Sequence, residues 1–466
     1  MLKAKEVSEA VSGYIIRGDP ETLFCSVSTD SRNIKGGELF FALKGERHDG
    51  HLFIDDARRK GAKGAVINES MKDVVKGDDF VVIAVKDTLK ALGDLSGWWR
   101  RRFDVKVIGI TGSSGKTTTK EMLSKILSAE KNVLKSPGNY NNLIGLPLTL
   151  LNLRRFHEIA IVEMGMNRIG EIRRLTEIAR PEIGIITNVG PAHLEGVGDI
   201  RGVLKAKTEL IEEISEDGVV FINGDSELLS KEAERFGKNV IRFGKGSQND
   251  VRIIEYKEDV FYGSSFSFLW KGKRYSFQLS VPGFFNIMNA VAASAVAIYL
   301  GMSEDVIKRK LKEYREVEGR FQRIYLKEDV LLINDTYNAN PLSLNEALSF
   351  LKQIRSGRQL IIGLGDMLEL GDYTEKAHRE AGREVAKLKP DFFFAIGNFA
   401  RYMIEGARDE GFKNVFLCSD HEEMAELIKK HLKKGSVVFL KASRRICLEN
   451  VVKKIKEEWD EEDRNC

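Results

Sequence analysis

The feature that most constrains this chain is an apolar run, VKVIGI (105–110), that ends in the turn TGSSGKTT (111–118) and continues as a helix-like stretch. A buried strand feeding a glycine-rich turn and then a helix fits few structures other than a phosphate-binding loop. Gly112 and Gly115 allow the backbone to turn tightly enough to aim successive N–H groups at phosphate oxygens, and the helix start adds partial positive charge. Ser113, Ser114 and Thr118 complete the loop. Lys116 is expected to bridge the β- and γ-phosphates of a nucleotide, and the Thr117 hydroxyl to ligate Mg²⁺. The general pattern GxxxxGK[ST] needs glycine where this chain has Ile110, so the loop is a compact variant. The bland alternative is a Gly/Ser turn capping a helix. Strand, turn, Lys-Thr and helix occurring together speak against it.

Around this loop, apolar runs alternate with helical patterns. HEIAIVEMG, EIGIITNVG and GVVFINGD follow it; VLLINDTYNANP, RQLIIGLGDM, DFFFAIGN, KNVFLCSD and SVVFLKAS form a second series. Strands alternating with helices imply βαβ units on parallel sheets with helices on both faces. An earlier region has short runs (ELFFAL, GAVI, FVVIAV) between charged turns, and the charged stretch 308–318 reads as a solvated helix and linker. At about 150 residues per domain, 466 residues favour three. We expect an α/β protein of three domains: 1–100, a central P-loop, parallel-sheet domain at 101–314, and a Rossmann-like domain at 315–466. LIIGLGD lacks the third glycine of GxGxxG and is not read as a dinucleotide fingerprint.

Composition removes other classes. Lys+Arg 73 against Asp+Glu 69 gives +4, too even for a nucleic-acid-coating protein, so no nucleic-acid partner is expected. Cys25, Cys418, Cys447 and Cys466 have no CxxC spacing, against zinc and against a disulfide framework. No run approaches the roughly 18 apolar residues of a membrane span, and the N-terminus MLKAKEVSEAVSG reads as a short polar helix without a signal peptide's apolar core. Reduced thiols and no export signal make the cytoplasm the expected compartment.

The compact loop and four further segments resemble the Mur ligases, ATP-dependent amide-forming enzymes of cell-wall synthesis, and their folylpolyglutamate synthetase relatives. IVEMG places Glu163 where the family has a Mg²⁺-binding acid, and NVGPAHLEGVG places His193 where it has a metal-ligating histidine. KAKTEL places Lys207 where the family carries a carbamylated lysine, with Lys205 as the alternative. PGFFNIMNAVAA resembles the family's PGxHNxxNxxAA block and gives Asn286 and Asn289 as nucleotide contacts; Phe285 stands where the histidine is usual. Those two asparagines, three apart on a helix, share a face. Arg320 and Asp335 match an arginine and an aspartate that meet ATP when the C-terminal domain closes. The resemblance covers nearly the whole chain, from about residue 26 to 450.

Within the family, DTYNANP (335–341), GDMLELG (365–371) and His378-Arg379 are similar to the member that joins D-alanyl-D-alanine to UDP-MurNAc-tripeptide. STDSR (28–32) and GELFFALKGERHDGHLF look like a uridine-nucleotide segment. The resemblance implies catalytic roles for Lys116, His193 and Lys207, and Mg²⁺ held by Thr117, Glu163, His193 and carbamylated Lys207. It also implies substrate contacts at Ser28, Thr29, Asp30, Ser31, Arg32, Asn139, Asn142, Tyr337, Asn338 and Asn340. The N-terminal domain would take the UDP end, the central domain ATP and the C-terminal domain the dipeptide, in a monomer. Another Mur ligase, a folylpolyglutamate synthetase-like enzyme and a P-loop nucleotide switch are the competing readings.

Overall fold

The computed structural model describes residues 1–45, 48–72, 79–354 and 357–459. Cys466 and the Glu46-Arg47 pair of the GERHDG segment lie outside the described residues.

The N-terminal sheet has five strands in the order Tyr14–Arg17, Val81–Val85, Gly64–Asn68, Leu39–Phe41, Val27–Ser28. All neighbours are parallel except Tyr14–Arg17, which runs antiparallel to Val81–Val85. The runs ELFFAL, GAVI and FVVIAV form its inner strands, and Val81–Val85 is buried throughout, as a parallel strand covered on both faces must be. Helix Thr88–Arg100, whose first turn is capped by Asp87 accepting from Leu89 N (2.8 Å) and Lys90 N (2.9 Å), leads into the central domain. There the Arg100 guanidinium donates to Ala179 O (2.9 Å) and Val105 O (3.1 Å).

The central sheet has nine strands. The loop-bearing strand Lys106–Thr111 lies between Ile159–Glu163 and Ile183–Ile186, parallel to both, so three strand carboxyl ends emerge side by side. Beyond Val219–Asn223 and Asn239–Gly244 the sheet is extended by Val251–Asp259, Gly263–Trp270 and Lys273–Leu279, the last two joined antiparallel. The apolar runs do not announce this extension. Val251–Asp259 and Lys273–Leu279 are half exposed, and Ser264, Ser265 and Ser267 in the mostly buried Gly263–Trp270 dilute the pattern further. The helix Phe284–Tyr299 packs against the loop helix Lys116–Leu127 in one core, where Ile287, Val291 and Ala295 meet Met122, Leu123 and Ile126.

The C-terminal sheet has six strands in the order Gln322–Leu326, Val330–Asp335, Val437–Lys441, Leu360–Gly365, Phe392–Ile396, Val415–Cys418. Only the first is antiparallel. The last strand in sequence, Val437–Lys441, inserts between Val330–Asp335 and Leu360–Gly365, which makes a crevice at their carboxyl ends. Phe285 of the central domain packs on Phe321 (ring centroids 5.1 Å apart) and Phe350 (6.5 Å), and Phe321 on Phe439 (5.9 Å). One hydrophobic core therefore runs from the central domain into the C-terminal one. Among the described residues no helix is long and apolar enough to cross a membrane.

Candidate active site

The carboxyl ends of the central and C-terminal sheets share one cleft. The central wall carries 113–118, Asn139, Asn142, Glu163, His193, Asn286 and Asn289; the other carries Arg320, Asp335, Tyr337, Asn338 and Asn340. The segment 28–32 is not part of its lining.

The loop is built as its glycines require. Gly112 (φ 149°) and Gly115 (φ 79°) have backbone angles that L side chains rarely adopt. A Cβ at the first would collide with Thr187 Oγ1, and at the second with Asn289 Oδ1. The strand Ile183–Ile186 then supplies a brace: Thr187 Oγ1 donates to Ser114 O (2.5 Å), Ser114 N to Asn188 Oδ1 (2.8 Å), and Ser113 Oγ to Gly190 O (2.8 Å). Asn289 Oδ1 accepts from Thr119 Oγ1 (3.2 Å), while Asn286 Nδ2 donates to Pro282 O (2.7 Å). Both asparagines are buried against the loop and its flank.

Lys116 Nζ donates to Gly112 O (2.7 Å), folded back on its own loop. Burial holds its ammonium below the ordinary lysine value; Glu163 opposes that shift and Arg320 adds to it. Glu163, ending its strand, accepts from Thr117 Oγ1 (2.9 Å) and Asn141 Nδ2 (2.9 Å). Buried Lys120, absent from the sequence expectations, lies 3.8 Å from the same carboxylate while donating to Ser136 O (2.7 Å).

The two lysine alternatives separate clearly. Lys205 is exposed and Lys207 is buried (1%), both on the helix Ile200–Glu213, and neither belongs to the cleft lining. Burial, and then repulsion from nearby Lys116, hold the Lys207 amine well below the ordinary lysine value. Among the described residues no group of three or more His, Cys, Asp or Glu side chains could hold a metal ion. The expected Mg²⁺ set is therefore not a ready-made cage. Thr117 and Glu163 are together, but His193 Nδ1 lies 2.7 Å from Glu369 Oε2 of the C-terminal domain. The 2.9 Å between Thr117 Oγ1 and Glu163 Oε2 nonetheless suits neighbouring vertices of an octahedron with metal–oxygen bonds of about 2.1 Å. Both are hard oxygen donors, so they fit Mg²⁺.

On the opposite wall, Asp335 accepts from Phe321 N (3.0 Å) and Lys441 Nζ (2.5 Å), and Lys441 also reaches Asn338 O (3.1 Å). The Arg320 guanidinium lies 3.9 Å from the Tyr337 ring centroid, with its Nε lacking a hydrogen-bond partner. Asn340 caps the helix Pro341–Ile354 through Ser343 N (2.9 Å) and donates to Ser113 O of the phosphate loop (3.3 Å). Glu346, on that helix and within hydrogen-bonding reach of Ser114, went unnoticed in the sequence; burial raises its carboxyl to about 7. Its one mark in the sequence is that it is the only acidic residue of that helix. In the N-terminal domain, Asp30 accepts from Arg32 N (2.9 Å) and Nη2 (2.7 Å), and Ser28 Oγ donates to Asp30 O (2.9 Å). Lys60 Nζ reaches Ser31 O (3.3 Å) and Ser31 is buried, so 28–32, including Thr29, is a turn held by its own bonds and by the neighbouring helix end.

A phosphate cradle at the carboxyl end of one parallel sheet, closed over by loops from the carboxyl end of a second, defines a multidomain P-loop enzyme that brings a nucleotide to a second substrate. Comparisons with known proteins narrow the class. Residues 24–99 match the Mur ligase family catalytic domain, 110–297 the Mur ligase middle domain, and 319–444 the Mur ligase glutamate ligase domain. The UDP-N-acetylmuramoyl-tripeptide–D-alanyl-D-alanine ligase of Bacillus subtilis (strain 168) is 35% identical over 451 residues, 96% of this chain and 97% of that protein. The Escherichia coli (strain K12) protein of the same name is 35% identical over 93% of this chain and 94% of its own. A crystal structure of MurF from Acinetobacter baumannii superposes with a TM-score of 0.87 at 32% identity, covering 98% of both chains. That of MurF ligase from Thermotoga maritima in complex with ADP gives 0.83 at 31%, covering 94% of this chain and 98% of that one. The chain belongs to the Mur ligase family.

Proposed function

We propose that this protein is an ATP-dependent, ADP-forming ligase that joins D-alanyl-D-alanine to UDP-MurNAc-tripeptide, completing the pentapeptide precursor of peptidoglycan. The observation that carries the reading is the contact between Asn340 of DTYNANP and Ser113 of the phosphate loop, which puts the two signature blocks on one cleft.

In this reading the tripeptide's terminal carboxylate attacks the γ-phosphorus of ATP, ADP leaves, and an acyl phosphate forms. The deprotonated amine of the dipeptide then attacks the acyl carbon, and phosphate departs carrying the N–H proton. Lys116, released from Gly112 O, turns to the phosphates, where charge on the transferring group is largest. The backbone N–H groups of 113–116 cradle the rest. Thr117 and Glu163 would hold Mg²⁺, with His193 beside it; when bound, the ion neutralises phosphoryl charge. Lys207 is suited to carbamylation because burial favours its uncharged amine, whose nitrogen adds to the carbon of CO₂ and releases a proton. The resulting anion would answer the charge of Lys116. Asn286, Asn289, Arg320 and Asp335 are assigned to the nucleotide, Tyr337, Asn338 and Asn340 to the dipeptide. Asn139, Asn142 and the 28–32 turn are assigned to the UDP-linked substrate. Docking of the C-terminal domain keeps water off the acyl phosphate. The reading carries with it a monomer acting in the cytoplasm: one chain supplies every wall of the cleft, and Cys25, Cys418 and Cys447 are free.

The test is ADP release with UDP-MurNAc-tripeptide and, in turn, D-Ala-D-Ala, single amino acids and folates, with mass analysis of the product. Turnover and a new amide with D-Ala-D-Ala are expected. Activity with a single amino acid alone overturns the assignment, and hydrolysis without any new amide would instead indicate a nucleotide switch.

A further inference from the structure

Two non-glycine residues with left-handed backbones face each other across the cleft. His193 (φ 56°), on the central domain, lies at the start of the short helix Leu194–Val197, and Glu369 (φ 66°) lies within GDMLELG of the C-terminal domain. Such conformations cost free energy and persist only where the surroundings over-determine them, which happens most often at functional sites. Here their side chains meet at ion-pair distance, His193 Nδ1 lying 2.7 Å from Glu369 Oε2, with angles outside hydrogen-bond geometry.

Glu369 is held from behind. On the C-terminal side, the buried His378 ring accepts from Met367 N through Nε2 (3.0 Å), while its Nδ1 stands 2.7 Å from Thr374 O. Ser443 Oγ accepts from Leu368 N (2.9 Å). These bonds fix the backbone of the two residues preceding Glu369. Arg445 Nη2, 3.5 Å from Glu369 Oε1, bounds the other carboxylate oxygen. Across the domain boundary, Glu195 N donates to Glu369 O (3.2 Å), and Gly371 packs on the Glu195 backbone.

We infer that Glu369 is a positioning residue whose carboxylate sets the His193 ring only when the C-terminal domain is docked, so that docking itself completes the site. The inference rests on the ligase reading for its catalytic consequence, though the contact does not depend on that reading. A carboxylate on Nδ1 fixes the ring's orientation and tautomer and leaves Nε2 for a phosphate oxygen or a cation. Glu163, the carboxylate of the phosphate-loop side, is committed to Thr117 and Asn141.

The experiment uses the full-length protein with Glu369→Gln, His193→Gln and the double variant. Glu369→Gln should lower kcat for ligation by about tenfold to a hundredfold, with little change in KM for ATP. The double variant should be no slower than His193→Gln alone, because the carboxylate acts through the histidine. Additive losses, or wild-type turnover in Glu369→Gln, overturn the proposal. Glu369→Asp, which keeps the charge, should restore part of the loss. A second readout needs no turnover. In ¹⁵N-histidine-labelled protein, the His193 resonances, identified by their loss in His193→Gln, should shift in Glu369→Gln. Unchanged ring resonances refute the pairing even if the ligase assay succeeds. A shifted ring in a protein without ligase activity supports the pairing and places the failure in the functional reading.

Discussion

The two walls of the cleft are built differently. On the central wall, Gly112, Gly115, Thr117 and Glu163 are fixed by bonds within one domain: Thr187, Asn188 and Asn289 brace the loop, and Asn141 and Thr117 hold the carboxylate. The C-terminal wall reaches the same space through contacts that cross between domains, among them Asn340 to Ser113, Glu369 to His193 and the Phe285–Phe321–Phe350 cluster. The difference teaches a division of labour. The phosphate-loop side is preorganised, whereas the wall that carries the residues assigned to the incoming amine, together with Arg320 and Asp335, depends on docking.

The sharpest way to break this comparison is at the loop. Lys116→Ala should reduce ligation by about 10³-fold or more, in line with losing a charged group aimed at the transition state, while circular dichroism and Tm remain near wild type. Retained turnover would contradict the phosphate role. Lys207→Ala should cost less, about 10²- to 10³-fold, and short carboxylic acids added to the assay should restore part of the rate. Absence of rescue would argue that Lys207 acts as an amine or as a packing group. Asn340→Ala should cost about tenfold, on the order of one hydrogen bond at the crossing point. That loss should appear in the steps that need D-Ala-D-Ala; an equal loss of ADP affinity would show that the walls are not separable in this way.

The smallest effect concerns Glu346. Its carboxyl titrates near 7 in the folded protein against 4.5 ordinarily, chiefly because of burial, with Asp335 raising it and Lys441 and Ser114 lowering it. The unfolded chain therefore releases this proton first as pH rises. Stability falls between about 4.5 and 7, and the deficit persists above. Glu346→Gln should raise Tm at pH 8 and leave it nearly unchanged near pH 4.5. A gain of equal size at both pH values would assign the effect to packing.

Much of the fold was legible because parallel strands covered on both faces must be apolar, as in FVVIAV and VLLIND. The extension 251–279 was not, since its strands interleave serines and charges with their apolar residues. The role of Phe285 was equally opaque: an aromatic in place of a histidine becomes meaningful only beside Phe321 and Phe350.

By itself the sequence determined the phosphate loop and the family, because phosphates are read by contiguous backbone and the family blocks are local strings. Tertiary structure alone distinguishes exposed Lys205 from buried Lys207. Two residues apart on a helix of 3.6 residues per turn, they point to nearly opposite sides, and only packing says which side is buried. It alone also brought Glu369 to His193 and Glu346 to Ser114, since residues distant in sequence meet only where the two sheets present their carboxyl ends to one another.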